Sequence, residues 1–148
     1  MNEITLCKLK MVKEKHVKYD AKAITSVDIL KSICLTLGLH EEPEEVFCIV
    51  TVDTKNKITG IFEVSRGSLS STIVHPREIF KRALLNNAAS IFCIHNHPSG
   101  DTKPSQEDIT TTKRLKEAGA LLGITVLDHL IIGDSGDFYS FKADGLVF

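Results

Sequence analysis

A mixed α/β sandwich, one sheet with flanking helices packed on it, is the fold class predicted for this chain. Three observations predict it. Apolar residues recur at helical spacing in several segments. Nearly continuous apolar, β-branched runs separate those segments. The resulting order is helix, β-hairpin, helix, strand, helix, strands, and a single layer of strands covered by helices satisfies it. At 148 residues the chain has room for one ordinary domain and not for two comfortable ones.

Residues 1–24 are expected to form an N-terminal arm and residues 25–148 the domain. The arm carries Lys8, Lys10, Lys13, Lys15, Lys18 and Lys22, a pattern of an exposed strand or tail that is solvated or packs on a partner subunit. Thr25 or Ser26 caps a first helix with Val27, Leu30, Cys34 and Leu37 on one face, and Gly38 closes it in a left-handed conformation. A polar acidic turn, 40–45, precedes the run 46–52, which has the composition of a buried strand. A turn at 53–57 returns the chain as a hairpin partner over 58–64.

His75 and Pro76 open the second helix, with Pro76 at the first helical position, where its missing N–H costs nothing. Ile79, Phe80, Ala83, Leu84 and Ala88 form its buried stripe. A short strand follows over 90–94, then a loop over 95–104. Ser105 caps a third helix to about Ala118, with Ile109, Thr112, Leu115 and Ala118 inward. Strands are predicted at 124–127, 130–132 and 138–141, with a turn at 133–137.

Composition narrows the function classes. The apolar fraction is 43% and the charged fraction 25%, which excludes wholesale disorder. A net charge of −1 gives no general polyanion footprint. No apolar run is long enough to span a membrane, and the N-terminus lacks the basic and apolar regions of a secretory signal. A cytoplasmic protein is the expectation. Cys7, Cys34, Cys48 and Cys93 have no CxxC spacing, so they are expected to be small buried hydrophobes in a reducing compartment.

The segment 95–108 carries the chemistry. His95 and His97, at i and i+2 leaving a strand end, project to one side. One metal can meet both imidazoles there. Asp108, in the first turn of the next helix, supplies a third, oxygen ligand, and the fourth position stays open to water, as in catalytic zinc sites. Ser105 and Asp108 also have a plainer account as a helix cap. A metallo-β-lactamase arrangement fits less well, because Ser99 and Gly100 stand where it needs ligands, and no H-E-x-x-H is present. His75 fits a helix cap, His129 a satisfied core histidine, Asp101 an Asx-turn, and Arg77 and Glu78 solvated helix charges. Asn87 and Asn96 fit either hydrogen bonding around the site or loop stabilisation.

His95-x-His97-Pro98-x6-Ser105-x2-Asp108 resembles the JAMM motif of the JAB/MPN metalloprotease superfamily. The words 52–56, 74–78, 87–89, 95–101 and 127–133 are similar to its RadC-like branch, and the resemblance covers about Thr25 to Phe148. It implies a cytidine-deaminase-like sandwich holding one Zn2+ through His95, His97 and Asp108. It implies that Ser105 hydrogen-bonds the oxyanion of a tetrahedral intermediate. It also implies a glutamate, just before the first long strand, that deprotonates the zinc-bound water. That position is Glu45, with Glu44 one residue away and Glu63 on the hairpin partner as alternatives. The expected function is hydrolysis of peptide or isopeptide bonds in a peptide or protein substrate.

A DNA-repair-associated accessory or binding protein without turnover is the alternative, since RadC-like proteins have often been named that way. Family members carry a helix-hairpin-helix region ahead of this domain, and the short stretch before Thr25 is expected to lack it. Nucleic acid as a partner is not supported by the charge, while the lysine arm is a local basic run. A binding module that kept the fold and lost turnover is a third reading, against which the intact His, His, Ser and Asp set argues. No membrane partner is expected, and a homodimer is compatible with the exposed arm and an open sheet edge.

Overall fold

The computed structural model describes residues 1–67 and 74–148. In chain order the elements are α1 (Val27–Thr36), a 3-10 turn (Leu39–Glu41), β1 (Glu45–Val52), β2 (Ile58–Gly67), α2 (Pro76–Leu85), β3 (Ser90–His97), α3 (Gln106–Leu122), β4 (Thr125–Gly133) and β5 (Phe138–Ser140). The strands form a 5-stranded mixed sheet in the order β2-β1-β3-β4-β5. Among the described residues only the β3/β4 pair is parallel, and α3 is the crossover that joins them. The predicted α/β sandwich is what the chain forms.

Strict alternation along the central strands divides the core into two layers. Val46, Cys48 and Val50 of β1 and Phe92 and Ile94 of β3 face α1, with Leu30, Ile33 and Cys34. Phe47 and Ile49 of β1 and Ile91 and Cys93 of β3 face α2 and α3, with Ile79, Phe80 and Leu115. The sheet is therefore covered on both faces, and its middle strands are nearly continuous in apolar residues, as read from the sequence.

Local chemistry explains the element ends. Ser26 caps α1 by accepting the Ile29 N–H, and Gly38 follows with φ of 69°. His75 Nδ1 accepts the Arg77 N–H, with Pro76 in the first turn of α2. Several boundaries differ from expectation, among them the end of β2, which runs to Gly67 where 64 was expected. Against an expected end at Ile94, β3 runs to His97, because β4 keeps pairing with it through His95↔Ile131, Asn96↔Ile132 and His97↔Gly133. Against two strands at 124–127 and 130–132, β4 is a single strand in which Asp128 and His129 are buried and paired. Against an end near Ala118, α3 continues to Leu122 and stops at Gly123.

The register of β4 against β3 shifts between Ile91↔Val126 and Phe92↔Asp128, so Leu127 is an extra residue. That bulge exchanges the faces of everything after it. Val126 packs on the α3 side, and simple alternation would send His129 to the α1 side. With Leu127 inserted, His129 returns to the α3 side opposite Cys93.

Residues 1–19 have no regular structure and are exposed apart from the half-buried Met11. Ile24 is buried in the α1-side core, and its N–H donates to the Asn56 carbonyl. Cys34, Cys48 and Cys93 are buried free thiols as expected, and burial pushes the Cys48 thiol up to about 12; Cys7 is exposed. No helix among the described residues is long and apolar enough to cross a membrane.

Candidate metal centre

The last residues of β3 and the first turn of α3 bring three donors together. His95 and His97 lie on the α3 face of β3, two residues apart. Their Nε2 atoms are 3.0 Å apart. Asp108 Oδ1 lies 3.4 Å from His95 Nε2, and Asp108 Oδ2 lies 3.2 Å from His97 Nε2. Zinc–nitrogen bonds of 2.0–2.1 Å in a tetrahedron put ligand atoms about 3.3 Å from one another. The observed spacings match that edge, and the donor atoms of the group all lie within 4.8 Å of each other. Two imidazoles and one carboxylate are the donor chemistry of an open zinc site, so the residues fit a metal ion.

Each donor is aimed by a partner on its other side. His95 Nδ1 is 2.7 Å from His129 Nε2, and the His95 ring stacks on Phe47 at 5.7 Å. His97 Nδ1 donates to the Asp101 carbonyl at 2.7 Å. The loop carrying Asp101 is pressed onto the end of β4: a Cβ at Gly133 would stand 2.8 Å from the Gly100 carbonyl oxygen, so only glycine admits this approach. Asp101 also makes the expected Asx-turn, accepting the Lys103 N–H at 3.0 Å. Asp108 Oδ2 accepts the Ser105 N–H at 2.8 Å, while Ser105 Oγ accepts the Asp108 N–H at 3.1 Å. This is a complete capping box despite the short Asp side chain. The helix cap and the candidate ligand are thus one arrangement, since the cap holds the Asp108 carboxylate toward the histidines.

The electrostatics follow from that packing. Burial pushes the Asp108 carboxyl up, but its contacts with the two histidines and the Ser105 N–H outweigh it and hold the group far below the ordinary carboxylate range. Burial pulls His97 down, yet Asp108 and the Asp101 carbonyl prevail and its pKa is raised, with the nearby Glu45 charge adding to the rise. Burial holds His129 well below the ordinary imidazole value.

A family profile described as RadC-like JAB domain matches residues 13–146. The chain belongs to the RadC-like JAB domain family. A UPF0758 protein of Clostridium beijerinckii is 47% identical over 133 residues, covering 90% of this chain and 57% of the relative. One of Methanosarcina acetivorans is 53% identical over 109 residues, covering 74% and 47%. One of Moorella thermoacetica is 57% identical over 103 residues, covering 70% and 44%. The chain spans about half the length of these curated relatives.

Within this RadC-like JAB domain the glutamates separate by sheet face. β1 and β3 pair antiparallel with Phe47 opposite His95, and extending that register sets Glu45 opposite His97. Glu45 therefore shares the α3 face with both histidines, and its charge reaches His97. Glu44 has the opposite parity and lies 3.9 Å from Arg66. Glu63 pairs with Cys48 on the α1 face and bonds Arg66 at 2.6 Å.

Asn96, between the two histidines, points to the α1 side. Its Oδ1 accepts the Val46 N–H at 2.7 Å, and its Nδ2 donates to the Glu44 carbonyl at 2.9 Å. Those two bonds clamp the backbone on either side of Glu45. Asn87 does not reach the site: it is exposed, with φ of 51°, in the turn after α2. Two connections were not legible in the sequence, the Asn96 clamp on Glu45 and the contact of Thr112 with His129. The available signal was a polar pair, Asp128-His129, inside an apolar strand.

Proposed function

We propose that this RadC-like JAB domain is a zinc-dependent metallohydrolase that cleaves peptide or isopeptide bonds. The observation that carries the reading is the convergence of two imidazole nitrogens and a carboxylate within 4.8 Å, on the sheet face that Glu45 shares. His95, His97 and Asp108 would hold the ion and leave a fourth position open. Bound there, zinc polarises a carbonyl and lowers the pKa of water to about 7.

The chain's own residues then divide the proton work. Glu45 takes a proton from the attacking water and returns it to the nitrogen as the C–N bond breaks. The Ser105 hydroxyl oxygen accepts the Asp108 N–H, which leaves its own proton free to donate to the oxyanion on the carbonyl. His95 is fully buried and His97 nearly so, which keeps the donors out of bulk water.

Metal analysis of protein purified without chelator tests the reading. About one zinc per chain is expected, lost in His97→Ala and in Asp108→Ala. The zinc-loaded protein should then cleave members of a peptide and isopeptide panel, with Glu45→Ala retaining zinc and losing turnover. No zinc uptake by the unaltered protein would overturn the proposal.

A second reading, a DNA-associated protein without turnover, draws on the exposed arm that carries Lys8, Lys10, Lys13, Lys15 and Lys18. It requires salt-dependent DNA affinity that disappears when residues 1–20 are removed.

A further inference from the structure

We infer that Thr112 and His129 decide which nitrogen of His95 carries its proton, and so aim the His95 lone pair at the metal centre. The inference rests on the ligand reading above and concerns residues that reading does not use. It follows from where each proton can go along one chain of short contacts.

The chain starts at the backbone of another candidate ligand. Thr112 Oγ1 lies 2.6 Å from the Asp108 carbonyl oxygen, one helical turn earlier in α3. A carbonyl oxygen only accepts, so the single hydroxyl proton of Thr112 is committed to it. Thr112 Oγ1 also lies 2.6 Å from His129 Nδ1. With the hydroxyl proton already used, that contact is a hydrogen bond only if Nδ1 carries a proton and donates. His129 is 1% exposed, its ring stacked on Phe141 at 4.7 Å and edge-on to Phe47, with no carboxylate bonded to the ring among the described residues. A charged ring there would be desolvated without compensation, so the ring is neutral and its Nε2 is bare.

The next link reaches the site. His129 Nε2 lies 2.7 Å from His95 Nδ1. A bare Nε2 accepts, so His95 donates from Nδ1. In the neutral ring His95 Nε2 then holds only a lone pair, directed at the point shared with His97 and Asp108. One candidate ligand's main chain thus selects the tautomer of another candidate ligand, through a hydroxyl and an imidazole that touch no metal. His129 and Thr112 are positioning residues. The Leu127 bulge is what places His129 on the correct face to complete the chain.

The test reads tautomers in the metal-free full chain by long-range 1H–15N NMR of 15N-labelled histidine side chains. Expected are a proton on Nδ1 of both His95 and His129 and a bare Nε2 on each. Thr112→Val keeps the side-chain shape and removes the hydroxyl. It is expected to mix the tautomers of His129 and His95 and to weaken zinc chloride binding by about 10- to 100-fold. Thr112→Ser should restore both readouts, which a merely packed threonine would not require. A His95 proton on Nε2 in the unaltered protein would overturn the inference, even where Thr112→Val fails to fold. A folded Thr112→Val protein with unchanged histidine signals and zinc affinity would overturn it too. If the unaltered protein takes up no zinc, the ligand reading fails by itself, and the NMR result still decides the proton chain.

Discussion

Two charged clusters sit at the same end of the sheet, one on each face, and they are built on opposite principles. On the α1 side, Glu42 and Glu63 each contact Arg66 at 2.6 Å and Glu44 approaches it at 3.9 Å. The guanidinium holds the Glu42 carboxyl below its ordinary value, and the carboxylates in turn raise Arg66. That cluster supplies its own cation and lies in solvent. On the α3 side, Asp108 has only His95 and His97 as basic partners among the described residues, and both rings present nitrogen atoms to one point. The lesson is that a count of acidic residues says little. A carboxylate already matched by an arginine is satisfied surface, whereas donor atoms converging at coordination spacing, each braced from behind, form a candidate ligand set.

Breaking the two clusters separately sharpens the comparison. Glu45→Gln should lower turnover by about 10²- to 10⁴-fold while zinc content stays at the unaltered level. Glu44→Gln and Glu63→Gln should leave turnover unchanged, and equal losses in all three would erase the distinction between the faces. Zinc affinity measured by competition should fall as pH drops. A metal at His97 Nε2 replaces a proton whose pKa is raised by Asp108 and the Asp101 carbonyl, so below that pKa the affinity declines by about tenfold per pH unit and above it levels off. An affinity constant from pH 8 to pH 5 would contradict that linkage. Asn96→Ala should cost about 1–3 kcal/mol in denaturant unfolding, because it strands the buried Val46 N–H, and it should lower turnover by loosening Glu45. The smallest effect belongs to Arg66→Gln. It should barely move the melting temperature and should not alter zinc content, since the cluster it breaks is exposed.

Much of this organisation was legible because local signals agreed with one another. Ser26 and His75-Pro76 mark helix starts that the backbone uses, and the run 46–52 is the central strand it resembles. His95, His97 and Asp108 could be grouped because i, i+2 on a strand and the first turn of the following helix are short-range geometry. What stayed hidden depends on partners distant in the chain. Asp128 interrupts an apolar run, which reads in the sequence as a break in the strand. Its carboxylate is satisfied by the Ser140 hydroxyl and the Lys142 N–H, and His129 by Thr112 and His95. The face of His129 depends on an inserted residue, which no alternation pattern reveals. Glu45, Glu44 and Glu63 could not be ranked by spacing alone, and their distribution across the two faces became visible only with the register of β1.

The crossover β3–α3–β4 carries a consequence for how the protein can change. All three candidate ligands, the capping serine and both members of the proton chain lie in one contiguous stretch, 95–129, whereas Glu45 comes from a hairpin that precedes it. Under the proposed function, capturing an ion and using it would therefore be encoded in separate parts of the chain. A lineage could trade the one glutamate on β1 and keep an intact ion-binding module, or graft the crossover beside a different base. On the proposed reading, catalysis in this architecture would be an inheritable option added to a separately encoded receptor for metal.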